Sequence, residues 1–254
     1  MPIIQSVDRA LRILDLFDEY DTELKITEIS ERMQLHKSTI HSLLKTLQES
    51  NYIVQNPENG KYRLGLKLVE RGNLVISTMD IRQVAKGYLQ DLSKKTGQTT
   101  HLGILDGQEG VYIDKVDGEK AVIRYSRIGK RIPLHSSALG KVLLAFQEPK
   151  EIKRILEGYA YTRHTENSIT SEDELLEELE RVNQQGYAID NLENEQSVRC
   201  ISVPILNFEN KILAAISMST LISAVNDQQL DAYIKLLKKA GLDLSKKLGY
   251  RLYN

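Results

Sequence analysis

Two adjoining stretches constrain this chain more than any other. They are "LHKSTIHSLLKTL" at residues 35–47 and "SNYIVQNPENGKYRLG", which follows closely. In the first, Ile40, Leu43, Leu44 and Leu47 recur at i, i+3, i+4 and i+7, the apolar stripe of a helix with one buried face. The second is two short β-prone runs joined by Pro and Asn-Gly, which is a hairpin signal. Upstream, "SVDRALRILDLFD" carries Val7, Leu11, Leu14 and Phe17 at helical spacing. After an acidic break, "KITEISERMQL" predicts a short second helix, with an imperfect capping signal from Thr27 to Ser30. Helix, short helix, turn, helix and hairpin is the order of a winged helix-turn-helix. In that unit the helix after the turn enters the DNA major groove and the hairpin lies along the backbone.

The polar face of the third helix carries Ser38, His41, Ser42 and Lys45 and no carboxylate, whereas a solvated face usually mixes Glu with Lys. Net charge gives no help: it is −1 for all 254 residues, and the first 65 hold eight basic and ten acidic side chains. Placement does help, because five of those acids fall between Asp15 and Glu23 and none lies between Leu35 and Gln48. The positive potential is therefore local. The expected double-stranded DNA contacts are Lys37, Ser38, Thr39, His41, Ser42 and Lys45 on the helix, Lys61 and Arg63 on the hairpin, and Arg9. So few cations neutralise few phosphates, and useful affinity calls for a second copy on a paired half-site. Such three-helix units also serve as protein-interaction modules; the acid-free face favours DNA.

Residues 66–78 read as a linking helix. From residue 79 to 254 the pattern is α+β, with a mostly antiparallel sheet and helices packed on it. "DIRQVAKGYLQDLSKKTGQ" predicts a helix with Ile81, Val84, Ala85, Tyr88, Leu89 and Leu92 inward, stopped by Gly97. Three strand-like runs with Asp-Gly turns follow, then helices at about 136–146 and 149–157. Another helix runs from the "SEDE" capping box at Ser171 to Gly186, and a last one covers about 226–247. Between these two, "VRCISVPIL" and "KILAAISMST" form strands joined by "NFEN".

Alternation along those two strands puts Ile201, Val203, Ile205, Ile212, Ala214, Ile216 and Met218 on a bulky apolar face. The other face gathers Cys200, Ser202, Ser217 and Ser219, small groups whose tips can orient a ligand, or which simply let a helix pack closely. In "LHSSALGK", Ser136 or Ser137 can cap a helix whose free N–H groups suit a carboxylate. A small organic acid or similar metabolite is the expected ligand, with Leu102 and Ile104 as an apolar wall. The lack of an arginine nearby argues against a highly charged one.

An enzyme is the competing class, with Cys200 as nucleophile and His135 as base on a chain whose first module binds no DNA. Cys200 lies mid-strand among apolar residues with no cation or helix start to lower its pKa, so a packing role is favoured and no catalysis is expected. His101, His135 and Cys200 lack the close spacing of metal ligands, and no phosphate loop or dinucleotide fingerprint occurs, so neither metal nor cofactor is expected. The lone cysteine permits no intramolecular disulfide, "MPIIQSVDRALRIL" has no basic flank, and no apolar run reaches spanning length. A soluble cytoplasmic protein without a membrane partner is expected.

In "QSVDRALRILDLF", "ITEISERMQLHKSTIHSLLKTLQESNYI", "GKYRLGLKLVERG", "PLHSSALGKVLLA" and "GYAIDNLENEQSVRCISVPI…AAISMST", the chain resembles the IclR family of bacterial transcription regulators over nearly its whole length. The resemblance implies an N-terminal winged helix and a C-terminal GAF-like effector domain. It implies dimers that pair into tetramers on operator DNA, acting as repressors or activators of catabolic operons in answer to small metabolites. It also implies effector contacts at Ala138, Leu139, Asp190, Cys200, Ser217 and Ser219. One departure stands out: the family places Arg after the residue matching His41, and this chain has Ser42. Serine cannot clamp a guanine or a phosphate at that range, so a different operator sequence is expected.

Overall fold

The structure is a computed structural model that describes residues 3–18, 20–77, 80–119 and 126–250. The chain divides into two compact units, Met1–Thr78 and Met79–Asn254.

In the first unit α1 (Gln5–Leu14), α2 (Ile26–Met33) and α3 (Lys37–Glu49) precede a hairpin of β1 (Ile53–Gln55) and β2 (Tyr62–Leu64), and α4 (Lys67–Ser77) follows. Helix α3 buries Ile40, Leu44 and Leu47, as its stripe predicts, against Ile13, Ile29, Met33 and Ile53. Helix α1 departs from its predicted stripe. It ends at Leu14, short of Phe17, so Phe17 reaches the core from the following turn and Ile13 replaces Leu11 inside. Val7 and Leu11 are left 52% and 57% exposed, beside Ile3 and Ile4. Helix α2 is capped elsewhere than the sequence suggested: the Lys25 N–H donates to the Glu28 carboxylate at 2.6 Å. Ser30 instead donates to Leu35 O across the tight turn, where Gln34 takes a φ of 53°.

The hairpin gains a partner that the sequence hid. Leu24, inside the acidic break, is fully buried and exchanges two backbone hydrogen bonds with Tyr62 at 2.9 and 2.8 Å. At the hairpin's exit, a Cβ on Gly65 would stand 2.2 Å from Asn51 O, so only glycine fits there.

The second unit begins with α5 (Asp80–Thr96). Its six-stranded antiparallel sheet has the order β5-β4-β3-β8-β7-β6. The strands are β3 (Thr99–Asp106), β4 (Glu109–Val116), β5 (Arg131–Pro133), β6 (Ala188–Asn191), β7 (Val198–Leu206) and β8 (Ile212–Leu221). The third predicted strand-like run falls largely on residues 120–125, outside the described residues. Helices α5 and α9 (Asp227–Lys247) pack on one sheet face. On the other lie α6 (Ala138–Ala145), α7 (Pro149–Leu156) and α8 (Glu172–Gln185). Ser171 and Gly186 bound α8 as predicted, although the Glu174 carboxylate reaches Thr170 N rather than Ser171 N.

Strand alternation holds where it matters most. Cys200 pairs with Ser219 and Ser202 with Ser217, while Ile201, Val203, Ile205, Ala214, Ile216 and Met218 face α5 and α9. A bulge breaks it at the end: Ile205 pairs with Ala214 but Leu206 with Ile212. Leu213 is the extra residue, so Ile212 turns to the α6 side instead of the α5 side. Strand β6 was not predicted, since "AIDN" is short and half of it is Asp and Asn, which strands disfavour. Among the described residues no helix is long and apolar enough to cross a membrane.

Candidate functional site

In the first unit Lys37, Ser38, His41, Ser42 and Lys45 are exposed along one side of α3, and Thr39 is half-buried. On the hairpin Arg63, opposite Val54, is exposed and Lys61 half-buried, and Arg9 is half-buried on α1. Three other cations of the unit are neutralised locally: Arg32 by Asp21 at 2.7 Å, Lys67 by Glu70 at 2.6 Å, Arg12 by Asp8 at 4.0 Å. Among the described residues, Lys37, Lys45, Lys61 and Arg63 make no ion pair, so their field points outward. The acid excess of this unit is spent on its own scaffold. Asp18 accepts from the Tyr20 and Asp21 amides, Glu28 from Lys25 N–H, and Glu23 from the Asn59 side chain. Ser42 turns its hydroxyl back onto Ser38 O at 3.1 Å, which occupies its donor within the helix.

In the second unit the small-residue face of β7 and β8 lies against the start of α6. Ser137, not Ser136, is the cap: its Oγ accepts from Gly140 N at 3.0 Å and donates to Pro133 O. The helix sits so tightly on β5 that a Cβ on Gly140 would come within 2.4 Å of Pro133 O. The Ala138 and Leu139 amides lie in the first turn, where no intrahelical acceptor exists. Ala138, Leu139, Asp190, Cys200, Ser217 and Ser219 all line one cavity of about 30 Å³.

The chemistry of this cavity is set by burial. Asp190 Oδ1 accepts from the Glu193 and Asn194 amides, yet burial, with Glu193 nearby, raises its carboxyl to about 7. The acid thus holds its proton over part of the neutral range and offers an O–H donor. The Cys200 thiol is pushed far up by burial and by Asp190, and lies 3.1 Å from Ser219 Oγ. A thiol so held is a packing and hydrogen-bonding group, not a ready nucleophile.

Leu102 and Ile104 do not supply the expected apolar wall. Register pairs Leu102 with Ile216, so Leu102 is fully buried with the α5 and α9 core, and Ile104 packs there too. Their neighbour His101 pairs with Ser217 and stays on the cavity side, stacked on Tyr112 at 4.5 Å with Nε2 2.9 Å from Ser126 Oγ. Burial lowers its pKa to about 3, so it is neutral. Tyr112, Ser126, Lys130, Asn194 and Glu195 also line the cavity and had no sequence signal. Lys130 lies only two residues before Ile132 in β5, and an edge-strand signal there could have pointed to it.

Next to the cavity, Lys141 is 1% exposed in a helix buried on all sides. Its ammonium donates to Glu193, Glu178 and Ile189 O at 2.8, 3.1 and 2.6 Å, tying α6 to α8 and β6. His135 is fully engaged: Nε2–H donates to Thr162 O at 2.9 Å, Tyr159 O–H donates to Nδ1 at 2.8 Å, and Leu134 N–H donates to Tyr159. That chain needs a neutral ring, and burial lowers its pKa. Among the described residues no three His, Cys, Asp or Glu side chains converge on a metal position.

A winged helix with an outward cationic face, followed by an α+β unit with a small polar cavity, defines a ligand-responsive DNA-binding regulator. The profile of the IclR helix-turn-helix domain matches residues 6–57, and that of the bacterial transcriptional regulator IclR C-terminal domain matches residues 73–246. The HTH-type transcriptional regulator XynR of Escherichia coli (strain K12) is 59% identical over 250 residues, covering 98% of this chain and 99% of the relative. KdgR of the same organism is 40% identical over 250 residues, covering 98% and 95%. The crystal structure of the Thermotoga maritima IclR is 35% identical with a TM-score of 0.80, covering 97% of this chain and 99% of that one. The crystallised C-terminal domain of E. coli KdgR is 40% identical with a TM-score of 0.63, covering 68% of this chain and 100% of that one. The chain belongs to the IclR family: it is a helix-turn-helix DNA-binding transcription regulator with a C-terminal effector domain.

Proposed function

We propose that the chain is a cytoplasmic repressor that releases its operator when a small organic acid binds in the second unit. Residues 1–65 read DNA, 66–78 link, and 79–254 bind the effector and self-associate. The observation that carries this reading is the meeting of Ala138, Leu139, Asp190, Cys200, Ser217 and Ser219 at one cavity, which joins the start of α6, two serines and a protonatable carboxyl. A ligand carboxylate would take the amides of Ala138 and Leu139, while Ser217, Ser219 and the Asp190 O–H bind its other oxygens. A cavity of about 30 Å³ has room for about one water, so a ligand of several atoms enters by displacing its walls. Pushing α6 from the sheet is the differential contact that an effector needs to shift a two-state equilibrium.

On the DNA side Ser38, Thr39, His41 and Lys45 approach bases, with Arg9, Lys37, Lys61 and Arg63 on phosphates. Two copies are needed, and the exposed Ile3, Ile4, Val7 and Leu11 give the first unit an apolar strip for pairing. A further pairing of dimers makes a tetramer. The effector is bound and not converted, in keeping with relatives named as regulators.

A gel shift with the chain's own upstream DNA, titrated with organic acids, tests the reading. A salt-sensitive, sequence-dependent complex that one acid dissolves is expected, and no shift under any condition defeats it. Ser42→Arg sharpens it: affinity and base preference should both change, and if neither does, α3 does not dock by this face.

A further inference from the structure

Helices α7 and α8 flank a surface groove of about 580 Å³, floored by Ala145 at the end of α6. Ile152 and Leu156 from α7 and Leu176 and Leu179 from α8 give it an apolar lining beside Gln147, Asn183 and Gln184, and Leu176 is 38% exposed. Its two rims carry opposite charge. Lys153 on α7 and Glu172 and Glu180 on α8 line the groove, and Lys150 stands exposed one turn before Lys153 on α7. Arg154 holds Glu151 at 2.8 Å and Arg181 holds Glu178 at 2.9 Å, while Asp173 and Glu177 add to the exposed acid along α8. The four rim charges make no ion pair among the described residues, although Lys153 and Glu172 line the same groove. The groove holds them apart.

We infer that this groove is the interface between two copies of the chain, related by a two-fold axis lying along it. Such an axis sets the basic rim of each copy over the acidic rim of the other, and Leu176 of each into the opposing trough. An axis across the groove would set like charge on like. Opposite rims on one apolar trough are self-complementary in only the first arrangement, which is the isologous kind that closes into a dimer. The inference rests on the reading of the chain as a self-associating regulator and names a second surface for it, separate from the strip on α1.

Sedimentation of the full chain tests it. The paired reversals Lys150→Glu with Lys153→Glu, and Glu172→Lys with Glu180→Lys, should each halve the mass of the largest assembly. A chain carrying all four should regain it, because attraction is restored with the signs exchanged. Raising salt should dissociate the wild type as well. Equal mass for the wild type and either reversal, or no recovery in the fourfold variant, overturns the interface. Equal mass is also the outcome if a foreign protein is the natural occupant. A gel shift on the same samples separates the two readings: half-site binding by the reversed chains stands or falls with α3, whatever their mass.

Discussion

Lys37, Lys45, Lys61 and Arg63 stand on the proposed DNA face without ion pairs among the described residues, whereas in the proposed effector cavity Asp190 and Ser219 are buried, Cys200 is half-buried, and all three are already hydrogen-bonded. The first arrangement acts at a distance and is weakened by salt. The second acts only on contact, and its groups respond to protons because water cannot screen them. On the proposed reading one chain holds two recognition surfaces, one sensitive to ionic strength and the other to pH.

The comparison breaks most visibly at Lys141. Replacing it with Ala leaves Glu193 buried without its cation, which should cost about 3–5 kcal/mol in urea unfolding. If the cost stays below about 1 kcal/mol, the cavity's polar neighbours are not interdependent, because surface changes stay in that range.

The next effect is one of pH. The Asp190 carboxyl sits at about 7 when folded against 3.8 as its ordinary value, so the native state holds the extra proton between them. Its contribution is favourable below 3.8 and is lost as pH rises through 7. His101 runs the other way: at about 3 when folded against 6.5, it contributes fully above 6.5 and loses that stability as pH falls. Asp190→Asn should therefore be more stable than the wild type at pH 8 and match it near pH 4. Equal stability at both values would contradict the assignment.

Smaller again is Ser219→Ala. It should weaken effector binding by about fivefold, one hydrogen bond of about 1 kcal/mol, with DNA affinity unchanged in the absence of effector. At the other surface, Lys37→Ala should shift unfolding by no more than about 0.5 kcal/mol. It should lower the slope of log affinity against log salt by about 1. A slope that does not move would take Lys37 off the phosphates.

How far the sequence foretold these surfaces depends on periodicity. The stripe of α3 is legible because thirteen helical residues repeat it, and Cys200, Ser217 and Ser219 are legible because two long strands alternate. Alternation within β3 was equally clear, but its phase relative to β8 was not. Only the pairing of His101 with Ser217 shows that Leu102 and Ile104 face away. Lys130, Asn194 and Glu195 lie in loops, where no period exists to read. Leu24 was lost among acids, and Lys141 was masked by a helix apolar on every side, where a lysine gives no sign of its burial.

The clasp around Lys141 has a consequence for chain cleavage. The ammonium lies before residue 163 in sequence, and its three acceptors at 178, 189 and 193 lie after it. A single tryptic cut at the exposed Arg163 would thus leave two fragments gripping one buried charge. They should elute together, because the β3–β8 pairing and the core shared by α5 and α9 also span the cut.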